Sequence, residues 1–237
     1  GLIEAIFVKI GAIIQARMSS QRLPGKVLCE VNGKPILQYL LERLESCKDL
    51  DLIVVATSRD ETDVSIEEFC KGYGIECYRG PLLNVAGRFK EILERDKLDI
   101  FVRVSGDSPL LDPCLIEYGM DIILNGNFDI VTNVLQRTYP IGQSVEIIRT
   151  DTYCTAYELM QGKEELEHVT KYFYKNRDEY KICNFESGKD YGGIRLAIDT
   201  KEDMNTFKGI VSKMKKPHLE YKLEDILSIY RDQLVKC

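Results

Sequence analysis

Short runs rich in β-branched residues alternate with amphipathic stretches from residue 10 to about residue 135. This alternation is typical of a parallel sheet whose strands are joined by helices. The predicted strands are residues 10–15, 52–57, 76–78 and 100–105, and the predicted helices are residues 35–47, 60–73, 84–97 and 113–125. We therefore predict an α/β fold with a mixed, mostly parallel central sheet sandwiched by helices.

The pattern changes after residue 127, where strands and helices no longer alternate regularly. The predicted strands here are residues 130–133, 144–149, 180–185 and 194–198. The predicted helices are two within residues 150–175, broken near Gly162, followed by residues 201–215 and 223–235. No linker rich in Pro, Gly or Ser and no internal repeat divides the chain. We expect residues 1–237 to form a single domain with an α+β portion at about residues 134–193.

The net charge, the cysteines and the N-terminal stretch argue against several classes of protein. The 237 residues carry a formal net charge of −6, which argues against a protein that coats nucleic acid. The eight cysteines form no CxxC pair, as is usual in a reduced, cytoplasmic protein. Glu4 and Lys9 interrupt the apolar N-terminal stretch, so we predict neither a signal peptide nor a membrane span there. We expect a cytoplasmic protein without a membrane or nucleic-acid partner.

A basic loop, residues 15–26, follows the first predicted strand. Arg17, Arg22 and Lys26 are its cations, and it contains no acid. Ligands bind beyond the carboxyl ends of strands in open α/β sheets, and three cations suit a triphosphate. Small residues such as Ser19 and Gly25 let backbone N–H groups approach phosphate oxygens. The alternative is a solvated surface loop, since neither GxxxxGK[ST] nor GxGxxG is present.

Two carboxylates follow apolar strands at the predicted binding edge of the sheet. Asp107 follows the predicted strand at 100–105, and Asp199 precedes the predicted helix at 201–215. A carboxylate that faces a triphosphate requires a cation between them, and Mg²⁺ favours one or two carboxylates together with phosphate oxygens. The alternatives are a turn role for Asp107 and a helix N-cap role for Asp199, with Glu202 completing a capping box.

The segment from Ala16 to Lys26 resembles the ARxxSxRLPGK loop of 3-deoxy-manno-octulosonate cytidylyltransferases and the related loop of acylneuraminate cytidylyltransferases. The longer segment through Leu37 is most similar to the spore coat polysaccharide biosynthesis protein F group of that superfamily. The resemblance implies the nucleotide-diphospho-sugar transferase (GT-A-like) fold. It also implies an enzyme that transfers CMP from CTP to a sugar acid or sugar-like acceptor and releases pyrophosphate.

The same resemblance implies roles for individual residues. Lys26 and Arg17 are the implied catalytic cations, with Lys26 beside the α-phosphate. Residues 106–110 resemble a GDxPL motif and residues 198–204 an IDTPEDL motif, with Lys201 in place of proline, which makes Asp107 and Asp199 the implied Mg²⁺ ligands. The implied nucleotide-binding residues are Ala16, Arg17, Ser19, Arg22, Gly25, Lys26, Arg79 and Arg103.

Two further elements resemble acceptor-side motifs. Residues 139–146 are similar to YPxGxDVE, with Ser144 where an aspartate is common, and residues 167–170 are similar to EHVT. The resemblance therefore places Tyr139, Glu146 and His168 on the acceptor side, although His168 also fits a structural role. The other histidine, His218, is expected on the surface.

The sequence leaves two other functions open. A glycosyltransferase of the same fold uses a nucleotide sugar and commonly a DxD metal motif, for which Asp49-Leu50-Asp51 is the local candidate. A non-catalytic nucleotide sensor or scaffold is the second alternative. A homodimer is an expectation carried over from the resembling enzymes.

Overall fold

The computed structural model describes residues 6–235, and their core is a mixed sheet of seven strands flanked by helices. The strands of the chain are β1 (Ile10–Gln15), β2 (Glu30–Val31), β3 (Lys34–Pro35), β4 (Leu52–Ser58), β5 (Glu76–Gly80), β6 (Ile100–Ser105), β7 (Ile130–Thr132), β8 (Glu146–Arg149) and β9 (Ile182–Asn184). The large sheet has the order β5-β4-β1-β6-β8-β7-β9, and β2 and β3 form a separate hairpin. The predicted α/β fold class is confirmed.

Helices cover both faces of the sheet. They are α1 (Ile36–Glu45), α2 (Val64–Tyr73), α3 (Val85–Asp96), α4 (Pro113–Asn125), α5 (Thr150–Tyr157), α6 (Lys163–Glu167), α7 (Lys171–Lys175), α8 (Lys201–Ser212) and α9 (Leu223–Leu234). One buried cluster joins a sheet face to α1, α2 and α4, and a second joins the other face to α3, α5 and α7. A third cluster packs α8 and α9 beside α1.

The central strand β1 shows why this sequence forms a covered sheet. Ala12 and Ile14 lie in one core cluster, whereas Ile13 lies in the cluster on the opposite face. All three side chains are fully buried. A strand buried on both faces needs an apolar run without polar alternation. Burying each of the two isoleucines contributes roughly 1.5–3 kcal/mol, which favours the central position of β1 in the sheet.

The sheet register brings the site segments to one edge. β1 and β6 are parallel, and Gln15 is paired with Ser105 at their carboxyl ends. The basic loop and Asp107 therefore leave the sheet side by side. β8 runs antiparallel to β6, so Glu146, the first residue of β8, lies opposite Arg103. The connectivity thus places residues from three distant parts of the sequence at the same edge.

Several details differ from the sequence-based expectations. Residues 194–198 form no strand and make only an isolated bridge between Ile141 and Arg195, because this segment has no partner strand to extend a ladder. Residues 150–175 contain three helices instead of two, and the β2–β3 hairpin was not predicted. The helix that was predicted from residue 60 begins at Val64, after a 3₁₀ turn.

The predicted domain includes residues 1–5, Lys236 and Cys237, which lie outside the described residues. One of the eight cysteines, Cys237, is therefore not described. The cysteines within residues 6–235 are free thiols. In this same part of the chain, no helix has both the length and the apolar character needed to cross a membrane.

Candidate active site

The basic loop folds back on itself directly after β1. The Gly25 N–H donates to the Met18 carbonyl over 2.8 Å, which closes the loop. Gly25 has a φ of +73°, a left-handed conformation that glycine adopts without the strain of a side chain. The Met18 N–H donates to Oδ1 of Asp63 over 2.7 Å. Because Asp63 is fully buried, it ties the loop to the core.

The loop surrounds a polar cavity of about 360 Å³ at the carboxyl edge of the sheet. The three predicted cations all border this cavity: Arg17, Arg22 and Lys26. Arg17 is exposed, and no ion-pair partner lies within 4.0 Å of it among residues 6–235. Ala16 and Ser19 also line the cavity, whereas Gly25 forms the turn that brings Lys26 back to it. The cavity is open to solvent and rich in N–H donors, as phosphate binding requires.

Asp107 and Asp199 face the same ammonium group. Lys26 Nζ lies 3.3 Å from Oδ2 of Asp107 and 3.6 Å from Oδ1 of Asp199. Arg22 pairs with Asp199 over 2.8 Å. The Ile198 N–H donates to the Asp107 carbonyl over 2.9 Å, which fixes the two acidic segments next to each other. The fold therefore unites three charged groups that are far apart in sequence.

Asp199 is not the cap of the following helix. Thr200 is the N-cap of α8, and its hydroxyl accepts from the Asp203 N–H. The Asp203 carboxylate accepts in return from the N–H groups of Asp199 and Thr200. The capping interpretation is therefore wrong: the N-cap is Thr200 instead of Asp199, and its capping-box partner is Asp203 instead of Glu202. The reciprocal bonds between Thr200 and Asp203 satisfy the helix terminus and leave the Asp199 carboxylate facing the cavity.

Arg103 and Glu146 form the base of a second cavity of about 550 Å³. They lie opposite each other on β6 and β8, with Nη1 of Arg103 3.0 Å from Oε1 of Glu146. The Tyr174 hydroxyl donates to the other Glu146 oxygen over 2.6 Å. Burial, reinforced by the Glu146 charge, raises the pKa of Tyr174, so this hydroxyl keeps its proton. The second cavity meets the first at Ser105, Asp107 and Asp199.

Apart from Gly25, three predicted site residues line neither cavity. Arg79 donates to the Ser58 and Asp60 carbonyls over 2.8 and 2.7 Å, because these carbonyls lie beside its strand β5. Tyr139 packs its ring edge against Phe185 and borders a cavity near α9. His168 is exposed where α6 ends. Their proposed roles in binding nucleotide or acceptor stay predictions, and the structure gives each of them a local role or an exposed position instead.

Sequence reasoning missed several residues that shape the site. Asp63 directly precedes α2, and an acidic residue at this position is usually explained by its favourable interaction with the positive end of the helix dipole. Arg137 and Tyr174 line the second cavity without belonging to any motif that the sequence shows, and Thr170, the last residue of the EHVT-like element, lines it as well. Arg137 lies two residues before the YPxGxDVE-like element, and this proximity was the one available signal.

The DxD candidate lies at the wrong edge of the sheet for a nucleotide site. Oδ2 of Asp51 accepts from the Ile10 N–H over 2.9 Å, at the amino end of β1. The basic loop leaves the opposite end of this strand. Asp51 therefore supports the start of β1. The cationic loop and the two carboxylates instead lie beyond the carboxyl ends of the parallel strands, where open α/β sheets bind their ligands.

Comparisons with known proteins give the family. The family model described as Cytidylyltransferase matches residues 11–234. The chain is 33% identical over 211 residues to spore coat polysaccharide biosynthesis protein SpsF of Bacillus subtilis, with 85% of each chain covered. It is 36% identical over 110 residues to 3-deoxy-manno-octulosonate cytidylyltransferase of Geobacter metallireducens, with 46% of this chain and 42% of that protein covered. The protein therefore belongs to the cytidylyltransferase family.

A solved structure supports the same assignment. The structure of a cytidylyltransferase from Leptospira borgpetersenii matches with a TM-score of 0.91 at 30% identity. The match covers 97% of this chain and 96% of that chain. Nearly the whole architecture is therefore shared, including the antiparallel side of the sheet that borders the second cavity. The protein is an enzyme of the nucleotidyltransferase type.

Proposed function

We propose that this cytidylyltransferase transfers CMP from CTP to a hydroxyl group of a sugar acid or sugar-like acceptor, for polysaccharide or surface glycan biosynthesis. One observation carries the proposal. A cavity bordered by Arg17, Arg22 and Lys26 meets a second cavity at Asp107 and Asp199. The first has the charge for a triphosphate, and the second has room for an acceptor. The junction is where the acceptor would meet the α-phosphate.

Two relatives of the chain support the acceptor class and the pathway type. A relative aligned over 85% of its length is named for spore coat polysaccharide biosynthesis. Another is named as a cytidylyltransferase of a sugar acid, 3-deoxy-manno-octulosonate. Both names concern activated sugars, which is the basis for proposing a sugar-like acceptor here.

The proposed reaction is an in-line displacement at phosphorus. An acceptor hydroxyl oxygen bonds to the α-phosphorus, the bond from this phosphorus to the α,β-bridging oxygen breaks, and pyrophosphate leaves. Arg17 and Arg22 hold the triphosphate, while Lys26 neutralises charge that develops on its oxygens. The hydroxyl proton goes to solvent or to a nearby base. Positioning and fixed positive charge, instead of covalent chemistry by the protein, supply the acceleration.

The residues present fit a Mg²⁺ ion. Asp107 and Asp199 have side chains that are 27% and 35% exposed, so both carboxylates are accessible from the cavities. Within residues 6–235 no cluster of three or more His, Cys, Asp or Glu side chains is arranged for a metal. Two carboxylates suit Mg²⁺, whose other ligands come from substrate phosphates and water. We propose that Asp107 and Asp199 hold this ion, which would offset phosphate charge when bound.

The Asp107→Asn variant tests the site. We expect the rate of CTP-dependent pyrophosphate release to fall by about 10²- to 10³-fold, because one charged contact to the reacting groups is lost. The assay contains Mg²⁺ and a panel of sugar acids and polyols. Thermal unfolding should remain close to that of the wild type, since the Asp107 side chain is partly exposed.

The matched control is Asp121→Asn, which removes an exposed carboxylate from α4. This variant should keep wild-type activity. Activity of Asp107→Asn equal to that of the control would contradict the assignment of Asp107. An enzyme that releases no pyrophosphate from CTP with any acceptor would contradict the proposed reaction.

A further inference from the structure

The second cavity contains a cation that forms no ion pair with a carboxylate of residues 6–235. Arg137 lines this cavity, and its Nη2 donates to Oγ of Ser144 over 3.1 Å. Among residues 6–235, no acidic oxygen lies within 4.0 Å of its guanidinium. Nη1 of Arg137 is buried and has no hydrogen-bond partner in the same set of residues. Burial lowers the pKa of Arg137, which the nearby Glu146 charge opposes, but an arginine stays protonated in proteins.

The other charged groups of the cavity wall are already paired. Both oxygens of Glu146 are used, one by Arg103 and the other by the Tyr174 hydroxyl. Arg103 also donates to the hydroxyl of Thr170 over 3.2 Å. Arg195 lies 3.4 Å from Asp203. Arg137 is therefore the wall group whose charge and donors are left for a ligand.

A half-buried guanidinium whose Nη1 is buried without a partner among residues 6–235 is unfavourable, and a bound anion removes that penalty. A carboxylate or a phosphate oxygen pair matches the donor geometry of arginine. We propose that Arg137 binds an anionic group of the acceptor, a carboxylate or a phosphate, and thereby selects acidic over neutral sugars. This inference rests on the proposed function, since it assigns the second cavity to the acceptor.

Ser144 keeps Arg137 available for that ligand. A serine hydroxyl accepts one hydrogen bond from Nη2 and contributes no charge. An aspartate at this position, which is common in the resembling YPxGxDVE element, would place a carboxylate beside the guanidinium and pair with it. The Ser144→Asp substitution should therefore act like the loss of Arg137. Serine instead of aspartate at position 144 therefore leaves the Arg137 guanidinium available to an acidic acceptor.

The test compares acidic and neutral acceptors that are otherwise alike. The probes are 3-deoxy-manno-octulosonate with its methyl ester, and ribitol 5-phosphate with ribitol. Pyrophosphate release gives KM and kcat for each probe and for CTP. The two charged probes distinguish a carboxylate from a phosphate. Calorimetric titration of each probe into the protein with CTP gives binding without requiring turnover.

In Arg137→Gln and Ser144→Asp we expect KM for the preferred acid to rise by about 10- to 100-fold, as expected for the loss of one charge-assisted contact. KM for CTP should change less than about twofold, since Arg137 does not border the triphosphate cavity. Arg177→Gln, an exposed arginine outside both cavities, is the charge-matched control and should leave both constants unchanged.

The outcomes separate this inference from the proposed function. Equal use of the ester and the acid, or an unaltered acceptor KM in Arg137→Gln, overturns the role of Arg137 while CMP transfer stands. Binding of a charged probe that is lost in Arg137→Gln, without pyrophosphate release, supports Arg137 and contradicts the reaction. Absence of binding by either charged probe overturns the inference.

Discussion

Asp63 illustrates how one buried carboxylate supports a solvent-facing loop. It is fully buried, accepts from the Met18 N–H over 2.7 Å, and also accepts from the Ser58 hydroxyl. Arg17 directly precedes Met18, so the carboxylate fixes the backbone from which this cation extends. We regard Asp63 as a positioning residue, since it touches the loop and not the cavity.

Replacing Asp63 by Asn should weaken CTP binding more than it slows the chemical step. An amide has one acceptor oxygen and an NH2 donor where the carboxylate has two acceptor oxygens, so either the Met18 N–H or the Ser58 O–H loses its acceptor. We expect KM for CTP to rise about 10-fold or more, with a smaller change in kcat. Asp60→Asn is the control, because Asp60 caps the adjacent turn through Thr62 and has no contact with the loop. Equal KM values in the two variants would refute the positioning role.

At the scale of elements, the short contact between residues 140–142 and residues 194–197 positions Asp199. Ile141 bridges to Arg195, and the N–H groups of Leu196 and Ala197 donate to the Ile141 carbonyl over 2.7 and 3.0 Å. Gly142 has a φ of +102°, and a Cβ there would lie 2.4 Å from the Ala197 nitrogen. A side chain at residue 142 must therefore displace the segment that carries Asp199.

Gly142→Ala should lower both stability and activity. The left-handed conformation alone costs about 1–2 kcal/mol for alanine. The backbone contact adds to this cost and shifts Asp199, so we expect the rate of pyrophosphate release to fall at least about 10-fold. Gly188→Ala is the matched control, since Gly188 has a φ of +78° but open space around its Cβ position. If both variants lost activity equally, the contact at Ala197 would not be what positions Asp199.

The docking of the C-terminal helices on α1 depends on a buried polar cluster. The guanidinium of Arg43 donates to the carbonyls of Leu111, His218 and Tyr221 over 2.8–3.0 Å. Nε2 of His218 lies 3.0 Å from Oε2 of Glu42. The expectation that His218 lies on the surface is wrong, because the turn before α9 folds this ring against Tyr39.

This cluster predicts a loss of stability in mild acid. Burial lowers the pKa of His218 below its ordinary value of 6.5, and the hydrogen bond with Glu42 opposes the shift. The unfolded chain then binds a proton more readily than the folded chain, so the free energy of unfolding falls as pH decreases through about 6.5. Urea unfolding at about pH 7.5 and about pH 5.5 should show a smaller pH effect in His218→Gln than in the wild type. An identical pH effect in the two proteins would exclude His218 as the cause.

For the whole molecule, the sequence predicts the framework better than the side-chain arrangement. The bounds of β1, β6 and α4 are as predicted, because apolar runs and the Asp112-Pro113 start are local signals. The loop and the two acidic segments were found through contiguous motifs.

The positions of three predicted site residues depend on contacts that the sequence does not show. The directions of Arg79, Tyr139 and His168 depend on which carbonyls, rings or solvent lie around them after folding. Arg137 gained its importance because no carboxylate of residues 6–235 lies within ion-pair distance of its guanidinium, which only the folded structure shows. Periodicity carries no information on such non-local contacts. The homodimer expected from the resembling enzymes stays a prediction.

The proposed function requires the basic loop to bind CTP together with Mg²⁺. Thermal unfolding of the wild type with each of the four NTPs, with and without Mg²⁺, tests it directly, since a ligand that binds only the native state raises Tm. We predict that CTP with Mg²⁺ gives the largest increase in Tm of the wild type. The increase should be smaller in Arg17→Gln and equal to that of the wild type in Arg177→Gln. No stabilisation by CTP, or a larger shift with a nucleotide sugar than with any NTP, would contradict the account.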